Sequence, residues 1–288
     1  MKFCEALFNR GGVSRGLGIC GLFLSLAGIS VANAQIVTLV DNNSVAQIDT
    51  SSPAGMFYWG IQNGPASTRN ILNQQWFWYR VGETAEAPIN AISAPSILTP
   101  NARSMTATYT GTGFAVRVDY VLTGGSPSSG VSDIGETITI YNTSASTMAF
   151  HLFQYSDFNL SPGNDTVQLG VNLRGRFNEA DQNPNGPNPD SLSETVVTPG
   201  ANHGEAALVR VTLGKLNDGS PTVLSDALTA GPGDATWAFQ WDLNIAAGGS
   251  AIISKDKYAQ VGMVPEPSVA AFIGIGFALC LVRQRLKK

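Results

Sequence analysis

The sequence predicts an all-β fold between residues 35 and 263: a single large antiparallel β-sandwich, or barrel-like sandwich. Three observations carry this. No stretch of that region sustains an apolar period of 3.6 residues, as an amphipathic helix would. Short runs rich in alternating, β-branched or aromatic residues recur along it. Gly, Ser, Thr and Asn separate those runs, and charged residues are only 13% of the chain, as expected of many strands joined by tight turns. A region of about 200 residues encloses a sizeable core in one all-β unit.

Ile36 to Val40 and Ser44 to Ile48 form an opening hairpin around Asp41-Asn42-Asn43. Gln74 to Val81 is an aromatic strand. Arg103 to Thr110 and Phe114 to Leu122 flank Gly111-Thr112-Gly113 and give the clearest hairpin. There Phe114, Val116, Val118 and Tyr120 alternate with Arg117, Asp119 and Val121. After a Gly/Ser-rich loop from Gly124 to Gly130 come strands at Glu136 to Tyr141, Met148 to Phe158 and Thr166 to Leu173. Asn178 to Ser193 holds three prolines and four asparagines, which argues against a strand interior. It reads as an inter-domain linker or, preferably, a long surface loop. Strands resume at Glu194 to Thr198, Ala206 to Leu213, Thr236 to Asn244 and Ser250 to Lys255. No internal repeat of fixed period is present, against a propeller or β-helix.

The two ends have a different character. Lys2, Arg10 and Arg15 precede an apolar stretch from Leu17 to Val31, followed by Ala32-Asn33-Ala34. Residues 1–34 therefore read as a secretory signal peptide, with Gln35 starting the mature protein after signal peptidase acts. Residues 264–288 begin Val264-Pro265-Glu266-Pro267. Each proline lacks a backbone N–H and disfavours helix in the residue before it, so the triplet stays extended, a form suited to a protease cleft. The uncharged run Val269 to Val282 would span about 21 Å as a helix, short of the roughly 30 Å hydrocarbon core, with snorkelling of basic residues making up part of the difference. Arg283, Arg285, Lys287 and Lys288 follow, and this positive end favours a cytoplasmic C-terminus.

In the order and position of its parts, Val264 to Lys288 resembles the PEP-CTERM sorting signal of bacterial surface proteins, a module also called an ice-binding protein C-terminal domain. The resemblance covers only that tail. It implies recognition near Pro265-Glu266-Pro267 by an exosortase, a membrane-embedded cysteine peptidase, with loss of the helix and basic end. The expectation is a protein exported by its signal peptide, anchored in the inner membrane by the tail, then held at the cell surface or released.

Residues 35–263 carry 10 Lys and Arg against 19 Asp and Glu, a net charge of −9, because seven of the chain's 17 basic residues lie in the two ends. An acidic domain without a basic cluster argues against nucleic acid as a partner. Cys4, Cys20 and Cys280 all fall in the ends, so the exported domain has no disulfide, thiol nucleophile or thiolate ligand.

Several residue groups within the domain suggest chemistry. Asp181-Gln182-Asn183-Pro184-Asn185-Gly186 matches the start of a calcium loop, with Asp181, Asn183 and Asn185 as oxygen ligands. The carboxylate six residues after the glycine is missing, since Leu192 stands there, and a solvated turn-rich loop explains the same residues. Calcium is the only cofactor the sequence suggests. Trp76 and Trp78 share one face of their strand and Phe77 and Tyr79 the other. An exposed indole pair would stack on sugar rings, whereas a buried one would simply fill the core. Trp237 and Trp241 read as core.

The two histidines, His151 and His203, lie in separate regions without metal-ligand spacing. No G-x-S-x-G nucleophile turn occurs. Asp157, Asp165, Asp119 and Glu136 are the candidates for a glycosidase carboxylate pair. With no catalytic motif, the expectation is a non-enzymatic surface or matrix protein. The alternatives are a carbohydrate-binding module using Trp76 and Trp78, with polysaccharide as partner, and a glycan-active enzyme on a sandwich fold.

Overall fold

The computed structural model describes residues 35–161, 163–187 and 189–263. The signal peptide with Ala32 and Ala34 lies outside the described residues, as does the tail with Val264, Pro265, Glu266, Pro267, Arg283 and Arg285. In chain order the first strands are β1 (Ile36–Asp41), β2 (Ser44–Asp49), β3 (Gly55–Gly64), β4 (Ser67–Asn70), β5 (Leu72–Val81), β6 (Ala87–Pro88), β7 (Ser96–Asn101), β8 (Ser104–Gly111) and β9 (Phe114–Gly124). They continue with β10 (Val131–Asn142), β11 (Met148–Phe158), β12 (Asp165–Val171), β13 (Phe177–Pro184), β14 (Ser191–Thr198), β15 (His203–Leu208), β16 (Thr229–Gly233), β17 (Ala235–Ile245) and β18 (Ser250–Gln260). One 3-10 turn, Ile89–Ala91, and one short helix, α1 (Val211–Lys215), accompany them.

The strands form two sheets. Sheet one runs β1-β2-β3-β5-β11-β17-β15, with β4 beside β3 and β6 beside β5. Sheet two runs β16-β12-β13-β14-β18-β10-β9-β8-β7. Pairing is antiparallel apart from one short parallel contact between β3 and β5. The expected all-β architecture is therefore present. No helix among the described residues is long and apolar enough to cross a membrane.

Local chemistry explains the hairpins. Asn42 adopts φ 46° in the two-residue turn between β1 and β2, and Gly113 adopts φ 81° between β8 and β9, the left-handed conformations that such turns need. Between the sheets, Phe77 and Tyr79 of β5, Phe150 and Leu152 of β11, and Trp237, Phe239 and Trp241 of β17 face Val116, Val118 and Tyr120 of β9 and Ile138 and Ile140 of β10. Aromatic contacts knit this core. Phe158 stacks on Trp237 at 5.3 Å, and Tyr79 and Phe114 both meet Phe150.

Two sequence expectations change. The Asn/Pro stretch is neither linker nor long loop, because Phe177–Pro184 is strand β13, inside sheet two between β12 and β14. Pro184 is tolerated because pairing with β14 ends at Gln182↔Leu192, so no partner there requires its missing N–H. Pro187 and Pro189 fall in the short connection to β14. The expected strand Ala206 to Leu213 splits instead into β15 and α1, and Arg210 turns the chain at φ 70°.

The segment after β15, residues 209–228, crosses the outer face of sheet one. It is pinned there by buried polar side chains of that face. Glu205 accepts from Thr212 Oγ1 (2.6 Å), Lys215 Nζ (2.7 Å) and the Ser225 N–H (2.9 Å). Arg80 donates to Glu86 and to the Thr222 carbonyl, while the Thr222 N–H donates to Glu86. Trp78 Nε1 donates to Asn217 Oδ1. This cover buries a sheet face that would otherwise meet water.

Candidate functional site

Directly opposed residues in a sheet project from the same face. In sheet one the register aligns Arg80, His151 and Asp242 across β5, β11 and β17, and the next outward row aligns Trp78, Phe153, Gln240 and His203. Both histidines therefore stand on the outer face, beside one carboxylate.

Asp242 is the hub. Its Oδ1 lies 2.5 Å from His151 Nδ1 and accepts from Gln240 Nε2 at 2.8 Å. Its Oδ2 lies 3.6 Å from His203 Nε2. The opposite nitrogen of that ring, His203 Nδ1, is 3.1 Å from both oxygens of Asp226. Burial alone would raise the Asp242 pKa, but the Gln240 and His151 hydrogen bonds and the two imidazoles outweigh it and hold the carboxyl below its ordinary range. An ionised carboxylate only accepts, so His151 Nδ1 carries its hydrogen towards Asp242. His203 is held between two carboxylates, Asp226 on the Nδ1 side and Asp242 on the Nε2 side. Imidazoles held against carboxylates are groups that general acid–base chemistry can use.

The cluster opens to solvent on one side. Side-chain exposure is 29% for Asp242 and 31% for His203, and a cavity of about 630 Å³ adjoins Asp242. Asn172, Arg174, Arg176, Thr198, Pro199 and Asn202 line it. Asn202 reaches the hub directly, its Oδ1 accepting the Asp242 N–H at 3.1 Å. The wall is mixed, with Val197 and Leu243 beside these polar groups.

Trp76 and Trp78 are not sugar platforms. Both are essentially fully buried, and so are Trp59, Trp237 and Trp241. The Trp76 indole donates to Asn90, and the Trp78 indole lies beneath the cover segment. The outer face of a sheet is normally where an aromatic pair would be displayed; here residues 209–228 turn it into a second core.

Of the calcium residues, Asp181 and Asn183 lie on the outer face of sheet two and Asn185 follows the end of β13. Asp181 and Asn183 pair with Gln168 and Thr166, so their segment is extended rather than curled round a centre. Asn185 donates to Asn164 Oδ1. Among the described residues no group of three or more His, Cys, Asp or Glu is placed to hold a metal ion.

The four candidate carboxylates fall in three places. Asp119 sits outside, bound by Arg117 and Thr106. Glu136 is sealed between the sheets with lysines. Asp157 and Asp165 are both buried, and the charge of Asp165 helps raise Asp157. Burial, then the charges of Asp234 and Asp165, push Asp157 up to about 6 against the opposing Asn73 hydrogen bond.

Sequence reading set His151 and His203 aside singly. Their meeting needs β11 and β15 on opposite flanks of β17, an order no local pattern encodes.

No family model matches the chain, and neither does any curated protein sequence. Solved structures do share its fold. A bacterial glucoamylase complexed with acarbose aligns over 83% of this chain at TM-score 0.52 and 8% identity. The chain spans only 35% of that enzyme's length. A galactose mutarotase-like protein from Lactobacillus casei aligns over 78% of this chain and 100% of its own, at TM-score 0.51 and 9% identity. A proposed aldose 1-epimerase from Escherichia coli K12 aligns over 81% and 100%, at TM-score 0.50 and 9% identity. The expectation of a non-enzymatic domain is corrected on this ground: the fold is one shared with proteins named as a glucoamylase and an aldose 1-epimerase.

Proposed function

We propose that residues 35–263 form a glycan-active domain whose site is the cavity lined by Asp242, the carboxylate that His151 and His203 contact. The observation that carries this reading is the bridging of two imidazoles by one ionised carboxylate that lines a cavity. Sugars offer many hydroxyls and few charges, and a wall of Asn, Thr and Arg supplies the matching donors and acceptors. In this reading His203, oriented by Asp226, moves a proton at a sugar oxygen through Nε2. Asp242 stabilises whichever imidazole becomes charged, and His151 steadies Asp242. The sugar names attached to the structural neighbours support the choice of ligand class.

The targeting ends belong to the same proposal. Signal peptidase releases residues 1–34 at Ala34–Gln35, and the tail holds the chain in the inner membrane until an exosortase acts near Pro265-Glu266-Pro267. The domain then meets polysaccharide outside the cytoplasm. The support is the order of parts in residues 264–288 and the charged, apolar and Ala-x-Ala order in residues 1–34.

The test incubates the domain with reducing monosaccharides and with surface polysaccharides, following anomer exchange, new reducing ends and binding. The expected result is binding or turnover by the wild type that falls at least about tenfold in Asp242→Asn with folding intact. Inertness towards every glycan class, or activity untouched by Asp242→Asn, would overturn the assignment.

A further inference from the structure

Away from the pocket, between the sheets, four charged side chains are wholly sealed from solvent: Glu136, Glu194, Lys255 and Lys257. Register brings them together. Glu136 of β10 stands directly opposite Lys255 of β18, and Glu194 of β14 directly opposite Lys257. Lys255 Nζ donates to Glu136 Oε2 and lies 3.3 Å from Glu194 Oε1. Lys257 Nζ donates to the same Glu136 oxygen at 2.8 Å and lies 3.6 Å from Glu194 Oε1. The Phe77 ring lies 5.0 Å from Lys255 Nζ.

The two carboxylates differ. Glu194 is well held, its Oε2 accepting from Gln154 Nε2 at 2.7 Å and Trp237 Nε1 at 3.0 Å. Burial would raise its pKa, but the charges of Lys257 and Lys255 and these hydrogen bonds keep it below its ordinary range, so it stays a proton acceptor. Glu136 receives both lysines on one oxygen, while its Oε1 has no hydrogen-bond partner. Burial drives Lys255 down to about 8 against the pull of Glu136, which makes its proton easier to lose and the nucleophilic amine easier to reach.

We propose that Lys255 and Glu136 condense into an isopeptide bond that staples β18 to β10. The ion pair first becomes neutral as one Lys255 proton passes to Glu136. The amine attacks Glu136 Cδ, and the bond from Cδ to Oε2 breaks. Glu194 Oε1 takes the amine's second proton, Lys257 protonates the departing Oε2, and Glu194 restores the Lys257 proton. One C–N bond replaces one C–O bond, and one water leaves with both protons. The product has two fewer ions in a site that solvates none, which favours the condensed form over the buried pair. The former Oε1 becomes the amide carbonyl oxygen. Residue 260 ends β18 shortly before the proposed processing site, so the bond would fasten the last strand where the tail leaves it.

The test is peptide mapping of the mature, natively purified wild type, so it does not depend on a variant folding. Trypsin should fail to cut after Lys255, and residues 118–174 should appear joined to residues 216–257, with a combined mass lower by one water, about 18 Da. Glu194→Gln should restore cleavage after Lys255, and Lys255→Met should remove the branch. Unlinked peptides at their sequence masses from folded wild-type protein would overturn the proposal. So would a mass loss confined to Gln35, which marks only cyclisation of an N-terminal glutamine.

Discussion

Oδ1 of Asp242 lies 2.5 Å from Nδ1 of His151, a contact that exists because β11 and β17 pair with those two residues directly opposed. A one-residue slip of that register would send either side chain into the apolar interior. The site is therefore a property of strand pairing, and substitutions there should separate function from folding.

Asp242→Asn keeps the shape of the side chain but removes the charge between the two imidazoles. Glycan turnover should fall by about 10²–10⁴-fold if His203 works as an acid–base group, with the thermal midpoint little changed. Steady-state rates and circular dichroism on the same preparations check both halves.

Stability should decline as pH rises from about 4 to about 7. Burial first, then Asp234 and Asp165, raise Asp157 to about 6; burial first, then the facing Asp256, raises Asp133 to about 7. Folded-state values above the unfolded ones mean that stability is fully present below the ordinary carboxylate pKa and is lost as each group ionises. Asp157→Asn should remove the part of the decline between pH 4 and 6 and make the domain more stable by about 1–2 kcal/mol at pH 7. Urea unfolding across that range measures it.

Glu205 has the opposite sign. Burial would raise it, but Lys215, Thr212 and Ser225 hold it down to about 2. Its contribution is present above the unfolded carboxylate value and is lost as pH falls towards 2. Because Lys215 is 39% exposed, Glu205→Gln should cost only about 1–2 kcal/mol. Faster amide exchange concentrated in residues 209–228 would identify the cover as the part released.

Trp78→Ala should destabilise the domain by about 3–5 kcal/mol, as truncation of a buried aromatic does. An exposed sugar platform would instead lose binding at unchanged stability, so a thermal melt beside a binding assay separates the two.

Glu266→Ala tests the sorting proposal. In a host that trims the tail, the variant should persist as a full-length membrane-bound form. Identical mass and location for variant and wild type would contradict it.

The fold was more legible than the site. The Gly111-Thr112-Gly113 turn and the alternation from Phe114 to Leu122 announced β8 and β9, because hairpins are written locally. The composition of Asn178 to Ser193 concealed β13, since nothing local shows that pairing ends before Pro184 needs a donor. Trp76 and Trp78 were correctly placed on one face, but the covering segment lies more than 130 residues further along the chain, as the Trp78–Asn217 separation of 139 shows. His151 and His203 carried no spacing signal, because they meet on a third strand.

The central claim is tested most directly by the imidazole signals of the untagged domain, which contains only these two histidines. Nitrogen-detected NMR of both rings, followed while reducing sugars and surface polysaccharides are titrated in, should show His203 and His151 shifting together and saturably, and Asp242→Asn should abolish the response. Rings that stay fixed across the whole glycan series, in protein whose backbone spectrum is folded, would contradict a sugar site at Asp242.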